Sequence, residues 1–142
     1  MIYTELTKKA MKFCFQAHKD QVDKSGIPYV FHPIHLAEKM EDELTTVVAL
    51  LHDVVEDTAY TFDDLRELGF PEAVVSTLML LTHDADTPYL DYVARLKDHP
   101  AAKAVKLADL QHNSDLSRLD TVDEKALARV EKYRQAIELL KT

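Results

Sequence analysis

An imidazole and three carboxylates lie close together beside one apolar segment of the sequence. The polar residues are His52, Asp53, Glu56 and Asp57, and residues 47–51 before them are all apolar. Positions i, i+1, i+4 and i+5 of a helix share one narrow arc, so the pattern predicts a polar stripe on an otherwise apolar helix. Burying unpaired carboxylates is costly, and a divalent cation is the simplest group that offsets the cost. The stripe favours a metal or catalytic site over an exposed acidic helix end.

A His-Asp pair alone carries little information. A random chain of this composition would contain about 0.7 such pairs, and this chain contains two. The second pair, His83-Asp84, shortly precedes Thr87-Pro88 and has no acidic pair after it. We interpret the second pair as part of a solvated loop, whereas the first is distinguished by its apolar context and by the acids one turn later.

Further metal ligands would have to come from other parts of the chain. His32 is surrounded by large apolar residues, and Asp109 lies in a helical pattern with Lys106 and Asn113 at i−3 and i+4. Taken alone, His32 fits a core histidine equally well, and Asp109 could simply pair with Lys106. Together with the first His-Asp pair they would form a mixed nitrogen and oxygen site suited to manganese, iron or zinc.

The order of these residues resembles the H…HD…D pattern of the HD phosphohydrolase superfamily. The chain is more specifically similar to the hydrolase domain of the RelA/SpoT homologue family, and to its stand-alone small alarmone hydrolases, over roughly residues 5–120. The matching segments are 17–21 (AHKDQ), 24–29 (KSGIPY), 32–33 (HP), 52–58 (HDVVEDT), 106–109 (KLAD) and 112–113 (HN). None of these pieces is strong alone, but the HDxxED segment and the SGxPY…HP loop together are specific.

The resemblance implies a metal-dependent enzyme that removes the 3′-pyrophosphate of (p)ppGpp, leaving GDP or GTP. It also implies one divalent ion, usually manganese. The metal ligands by this resemblance are His32, His52, Asp53 and Asp109. Glu56 and Asp57 match the acidic pair that positions and activates the attacking water. A carboxylate one helical turn from a metal ligand is well placed to accept that proton.

The same resemblance implies a set of substrate contacts. Lys24 and Ser25 match the loop that meets the guanine base, and Asn113 matches a residue near the ribose and phosphates. Side chains that could stabilise phosphate oxygens, or have only a supporting role, are Lys106, His18 and His112. Two positions depart from the family pattern, because Asp23 and Leu110 stand where basic residues are common. These departures leave the exact substrate open.

Composition limits the classes of partner. The 142 residues carry 17 basic and 25 acidic side chains, a net charge of −8, which argues against nucleic acid or an anionic membrane surface. The single cysteine, Cys14, excludes an internal disulfide. No apolar run is long enough for a transmembrane helix, and no signal-peptide pattern is present. We expect a cytoplasmic protein whose partner is a small nucleotide.

The dominant period of the sequence is helical. It predicts an all-α orthogonal bundle of about seven to eight short helices, with residues 1–142 forming one HD-type domain. Pro33 predicts a helix that begins just after His32, and residues 43–57 are predicted to form one continuous helix. Thr121 and Glu124 are predicted to form a capping box for the last helix, whose apolar face includes Leu127.

Two other functions remain open from the sequence. The same metal chemistry could act on another phosphorylated nucleotide, such as a nicotinamide dinucleotide phosphate. A non-catalytic nucleotide-sensing module is the alternative from a different class. The adjacent acids Glu56 and Asp57 argue against a sensing module, because a protein that only binds a nucleotide has less use for them.

Overall fold

Short helices joined by short loops make up the whole chain. The structure is a computed structural model that describes residues 1–142. The α-helices are α1 (Glu5–His18), α2 (Phe31–Glu38), α3 (Glu43–Leu51), α4 (Val54–Asp57), α5 (Phe62–Glu67), α6 (Glu72–Leu81), α7 (Tyr89–Arg95), α8 (Pro100–Asn113) and α9 (Glu124–Lys141), with 3₁₀ turns at Leu96–Asp98 and Leu116–Arg118. The only extended pairing is an isolated antiparallel bridge between Val22 and Pro28. The predicted all-α fold is confirmed.

Helix α3 is the centre of the bundle. It packs against α1, α2, α6 and α8, and each of its residues from Thr45 to Leu51 is buried. A helix that is apolar on nearly every side must be surrounded in this way, because no face of it is suited to water. The carboxyl end of α3 therefore opens directly onto the interior faces of α2 and α8.

The predicted continuous helix over 43–57 is wrong, because α3 ends at Leu51 and α4 begins at Val54. At the break, Asp53 has φ −106° and ψ 1°, outside the helical range. The Nδ1 atom of His52 lies 2.7 Å from the carbonyl oxygen of Ala49, which in a continuous helix would accept from the N–H of Asp53. This competition ends α3 and turns Asp53 to the same side as the His52 ring.

The second helix begins two residues earlier than Pro33 predicts. Helix α2 begins at Phe31, so Pro33 is its third residue and His32 lies within its first turn. The first four N–H groups of a helix have no partner within it, so a proline at this point removes no hydrogen bond.

The predicted capping box of the last helix is also wrong. The N-cap of α9 is Asp123, whose side chain accepts from the backbone N–H of Ala126 at 2.8 Å. The buried residues of α9 include Ala126 and Leu140, whereas Leu127 is 52% exposed. None of the helices combines the length and the apolar character needed to cross a membrane.

Candidate active site

The four residues predicted as metal ligands converge at the carboxyl end of α3. The Nε2 atom of His32 lies 2.9 Å from Oδ1 of Asp109, and the Nε2 atom of His52 lies 3.6 Å from the same oxygen. Asp53 Oδ2 is 2.9 Å from His52 Nε2 and 4.0 Å from His32 Nε2. One ligand atom each from His32, His52 and Asp109 lies within 4.8 Å of the others. This group has the residue types and spacing to hold one metal ion.

The imidazole of His52 has the hydrogen bonding expected of a metal ligand. Its Nδ1 atom lies 2.7 Å from the carbonyl oxygen of Ala49, so Nδ1 carries the proton and donates. Its Nε2 atom is buried and makes no hydrogen bond, although carboxylate oxygens lie close to it. A ligating histidine usually donates its other ring N–H to a carbonyl or carboxylate and keeps its free nitrogen for the ion. The residues present therefore fit a bound cation.

The charges of the cluster also favour a cation. Burial would raise the pKa of Asp109, but His32, His52 and the Lys106 ammonium hold it well below its usual range. Burial likewise opposes ionisation of Asp53, and His52 nevertheless keeps the pKa of Asp53 low. For His52, burial opposes protonation, but the two carboxylates raise its pKa well above the ordinary value. The cluster therefore attracts positive charge, which a proton or a divalent ion can supply.

Tyr29 contacts Asp53, an interaction that the sequence pattern alone does not predict. Its hydroxyl donates to Oδ2 of Asp53, the same oxygen that faces His52. Burial and the Asp53 charge raise the pKa of Tyr29, so the phenol remains a donor. Tyr29 thus fixes the orientation of one carboxylate of the cluster from the loop before α2.

Lys106 places a fixed positive charge beside the cluster. Its Nζ atom is 3.3 Å from Oδ2 of Asp109 and lies over the rings of Tyr89 and Tyr92, at 5.7 and 5.3 Å from their centroids. Burial opposes its charge, but Asp109 raises the pKa of Lys106, so it remains an ammonium at any physiological pH.

Glu56 and Asp57 are exposed and do not join the ligand cluster in one stripe, because the break before α4 turns them away. A carboxylate oxygen of Glu56 accepts from the backbone N–H of His83 at 3.0 Å. Partial shielding of the Asp57 carboxyl from water by its neighbours, together with the charges of Asp53 and Glu56, raises the pKa of Asp57. The predicted loop at His83-Asp84 is confirmed, but its role in holding Glu56 was missed.

Three cavities adjoin the cluster. The third cavity, of about 360 Å³, lies beside His32 and is also lined by His35, His112 and Arg118. The other two hold most of the predicted catalytic and substrate-binding residues. The smaller of these two, of about 160 Å³, is lined by His52, Asp53, Glu56, Leu81, His83, Tyr89, Tyr92, Val105, Lys106 and Asp109. The larger, of about 270 Å³, is lined by Asp23, Lys24, Tyr29, His32, Asn113, Asp115, Arg118, Leu119, Ala126, Arg129, Val130 and Tyr133. The first holds Glu56 and Lys106 beside the ligands. The second borders His32 and carries Lys24 and Asn113, whose amide donates to Oδ1 of Asp109 at 3.0 Å.

Asp23 shapes the loop at the entrance of the larger cavity. Its Oδ1 atom accepts from the backbone N–H groups of Ser25 at 2.8 Å and Ile27 at 3.0 Å, while Oδ2 lies 4.0 Å from Arg118. The Ser25 hydroxyl accepts from the backbone N–H of Asp120. The loop has Asp23 where the family commonly has a basic residue, but the guanidinium of Arg118 lies close to this position.

Comparison with known proteins gives a consistent result, although no family model matches the chain. The chain is 34% identical over 144 residues to guanosine-3′,5′-bis(diphosphate) 3′-pyrophosphohydrolase MESH1 of Danio rerio, covering 92% of the chain and 79% of that protein. It is 38% identical over 125 residues to the Homo sapiens protein of the same name, covering 78% and 69% respectively. The chain belongs to the RelA/SpoT-type hydrolase family.

Other relatives and a solved structure agree with this assignment. The RelA/SpoT-type chain is 31% identical over 143 residues to a GTP pyrophosphokinase of Myxococcus xanthus, but it spans only 19% of that much longer protein. One similar solved structure is described as a metazoan ortholog of SpoT that hydrolyzes ppGpp. It superimposes with a TM-score of 0.76, and the match covers 99% of the present chain and 88% of the solved one. At 24% identity, this likeness shows the fold.

Two histidines of this RelA/SpoT-type hydrolase lie outside the smaller and the larger cavity. His18 is 1% exposed, and its Nδ1 atom lies 2.7 Å from the amide oxygen of Gln21. The Nδ1 atom of His112 lies 2.7 Å from Nδ1 of His32. Burial and the charges of Arg118 and His32 lower the pKa of His112 to about 4, so its ring is neutral at physiological pH. His18 is too deeply buried to contact phosphate directly, whereas His112 lines the third cavity beside His32 and Arg118.

Several cavity residues of this hydrolase were missed by the sequence interpretation. Arg118, Arg129 and Tyr133 line the larger cavity, yet they belong to the carboxyl-terminal quarter of the chain. The matching segments end at Asn113, so no motif drew attention to these residues. Tyr133 is partly buried against the core and also lines the cavity.

Proposed function

We propose that the chain is a metal-dependent (p)ppGpp 3′-pyrophosphohydrolase that releases pyrophosphate and leaves GDP or GTP. The observation that carries the proposal is the convergence of His32, His52 and Asp109, with the buried Nε2 atom of His52 left without a hydrogen bond. The relatives named as guanosine-3′,5′-bis(diphosphate) 3′-pyrophosphohydrolases support this choice of substrate. Residues 1–142 would form one hydrolase domain.

The proposed ligands of one divalent ion are His32, His52, Asp53 and Asp109. Two imidazoles and two carboxylates suit manganese, iron or zinc, and the resemblance favours manganese. When bound, the ion would lower the pKa of a water molecule and offset negative charge on the phosphate. Tyr29 and Lys106 would hold Asp53 and Asp109 in the ionised, correctly oriented state that such ligation needs.

Glu56 is the proposed general base. Its carboxylate lines the smaller cavity with His52 and Asp53, and the backbone N–H of His83 fixes one of its oxygens. An ionised carboxylate held there can accept the proton of the attacking water. Asp57, one residue further on, is proposed to orient that water. The water oxygen would form a new bond to phosphorus as the bond to the ribose 3′-oxygen breaks. Negative charge would then develop on the phosphoryl oxygens, where the ammonium of Lys106 in the same cavity would stabilise it.

The nucleoside would lie in the larger cavity. Lys24 lines the entrance and Asn113 lies beside the ligand cluster, which fits the proposed contacts with the guanine base and with the ribose and phosphates. We propose that Ser25 contributes by holding this loop, since its hydroxyl already accepts from the N–H of Asp120. His18 would act from beneath the site, through Gln21, whose amide donates to the carbonyl oxygen of Asp57.

A substrate panel tests this proposal. Manganese-loaded protein would be assayed with ppGpp, GTP, ATP and a nicotinamide dinucleotide phosphate at equal concentrations, and kcat/KM compared. We expect ppGpp to give the highest value. A higher value for the dinucleotide phosphate would assign the same chemistry to a different nucleotide, and no turnover of any compound would indicate a sensing module.

A further inference from the structure

His112 contacts the side of His32 that faces away from the candidate metal centre. The two Nδ1 atoms are 2.7 Å apart, whereas Nε2 of His32 points to Asp109 at 2.9 Å. The planes of the two rings differ by 7° and their centroids are 5.0 Å apart. The rings therefore lie side by side in the geometry of a direct nitrogen-to-nitrogen hydrogen bond.

Only one of the two nitrogens in this contact can carry the shared proton. An imidazole that ligates a metal through Nε2 must carry its own proton on Nδ1. His32 is then the donor, and His112 must accept through an unprotonated Nδ1 while keeping its own proton on Nε2. The more usual acceptor behind a ligating histidine is a carboxylate or a backbone carbonyl, as Ala49 is for His52.

The surroundings of His112 hold its ring in place. A guanidinium nitrogen of Arg118 donates to the carbonyl oxygen of His112 at 2.9 Å. The ring of His35 stacks on the His112 ring, with centroids 4.0 Å apart and an angle of 18° between planes. His32 itself is only 4% exposed, so loss of His112 would leave a buried N–H without a partner.

We propose that His112 is a positioning residue that fixes the tautomer and the ring orientation of His32 and thereby sets the affinity of the metal centre. This inference rests on the proposed function, because it assumes that His32 is a ligand. His112 acts on the metal centre through His32, although it also lines the third cavity with His32 and Arg118. Its neighbour Asn113 faces the larger cavity from the same turn of α8.

The test measures manganese affinity directly, by calorimetric titration of protein freed of metal with a chelator. His112→Asn retains an acceptor oxygen close to the position of Nδ1, whereas His112→Gln moves its amide one bond further out and His112→Leu removes the acceptor. We expect affinity close to wild type for the Asn variant. For the Gln and Leu variants we expect a loss of about 10- to 100-fold, the usual effect of removing such an outer partner. His99→Leu is the matched control, because the exposed His99 lies at the other end of α8, roughly 20 Å away along the helix.

Thermal unfolding of each metal-free variant identifies any that fail to fold. If His112→Leu does not fold, the comparison of the two amide variants decides the question. Equal manganese affinity for wild type and His112→Gln would overturn the role of His112. Failure of the wild-type protein to bind manganese or any other divalent transition metal would instead overturn the proposed function.

Discussion

The carboxylate of Glu56 is tied to a loop 27 residues further along the chain, by a 3.0 Å hydrogen bond from the backbone N–H of His83. Glu56 belongs to α4, directly after the break at His52 and Asp53, and His83 follows the end of α6. Both residues line the cavity that contains His52, Asp53 and Lys106. The hydrogen bond from His83 therefore holds the exposed Glu56 carboxylate at the edge of the candidate metal centre.

Glu56→Gln should retain bound metal and lose turnover by a factor of about 100 or more. The amide keeps an oxygen that can accept from His83, but it cannot take a proton from water. The measurement is kcat on ppGpp together with metal content. Glu67→Gln, which changes an exposed glutamate on α5, is the matched control and should behave as wild type. Unchanged kcat for Glu56→Gln would show that Glu56 has no part in proton transfer.

His52→Ala should abolish stoichiometric metal binding. The substitution removes the buried Nε2 atom that makes no hydrogen bond, and it leaves Asp53 without its nearest imidazole. Elemental analysis of purified protein would compare this variant with wild type and with His99→Ala. Equal metal content in the three proteins would remove His52 from the ligand set.

The convergence of the four proposed ligands was predictable from the sequence because the family resemblance links the short motifs that contain them. The four residues belong to three short motifs, which contain His32, the His52-Asp53 pair and Asp109. The apolar character of residues 47–51 requires a central α3. The position of Glu56 was not predictable, because it depends on the His52 side chain, just after α3, competing for the carbonyl oxygen of Ala49.

Contacts between distant segments were also outside the reach of the sequence. The pairing of His32 with His112 joins residues 80 positions apart, and Arg118 approaches Asp23 from a separate turn. The N-cap of α9 could not be predicted even from its local sequence. Asp123 and Thr121 are both good capping residues, and the path of the preceding loop decides between them.

Asp23→Arg should raise KM for ppGpp rather than improve recognition. The change removes the acceptor for the N–H groups of Ser25 and Ile27 and sets a second guanidinium against Arg118. Each lost hydrogen bond costs about 1 kcal/mol, so the two together correspond to an increase in KM of up to roughly 30-fold. Asp23→Asn keeps the acceptor oxygen and should change KM much less. A lower KM for Asp23→Arg would show that the loop arrangement is not limiting.

The protein should become less stable above pH 9 because of Cys14. Burial, with a smaller contribution from the Asp53 charge, raises the pKa of this thiol from 9.0 to about 12. Below pH 9 the thiol is neutral in both states. Between pH 9 and 12 the unfolded chain releases its proton while the folded protein keeps it, which costs about 1.4 kcal/mol per pH unit.

Urea unfolding of wild type and Cys14→Ala between pH 8 and pH 10 would measure this effect. The variant should be less stable at pH 8, because it leaves a small cavity in the core, but its free energy of unfolding should fall less with rising pH. Burial also raises the pKa of Tyr92, from 10.0 to about 12. Tyr92 therefore lowers the stability of both proteins mainly above pH 10. Parallel curves for the two proteins would exclude Cys14 as the cause.

The most direct test of metal-dependent pyrophosphate release is phosphorus NMR of ppGpp incubated with manganese-loaded protein. We predict that GDP and pyrophosphate appear in equal amounts, and that neither forms with His52→Ala or with protein stripped of metal. Release of orthophosphate in place of pyrophosphate, or an equal rate without metal, would contradict this prediction.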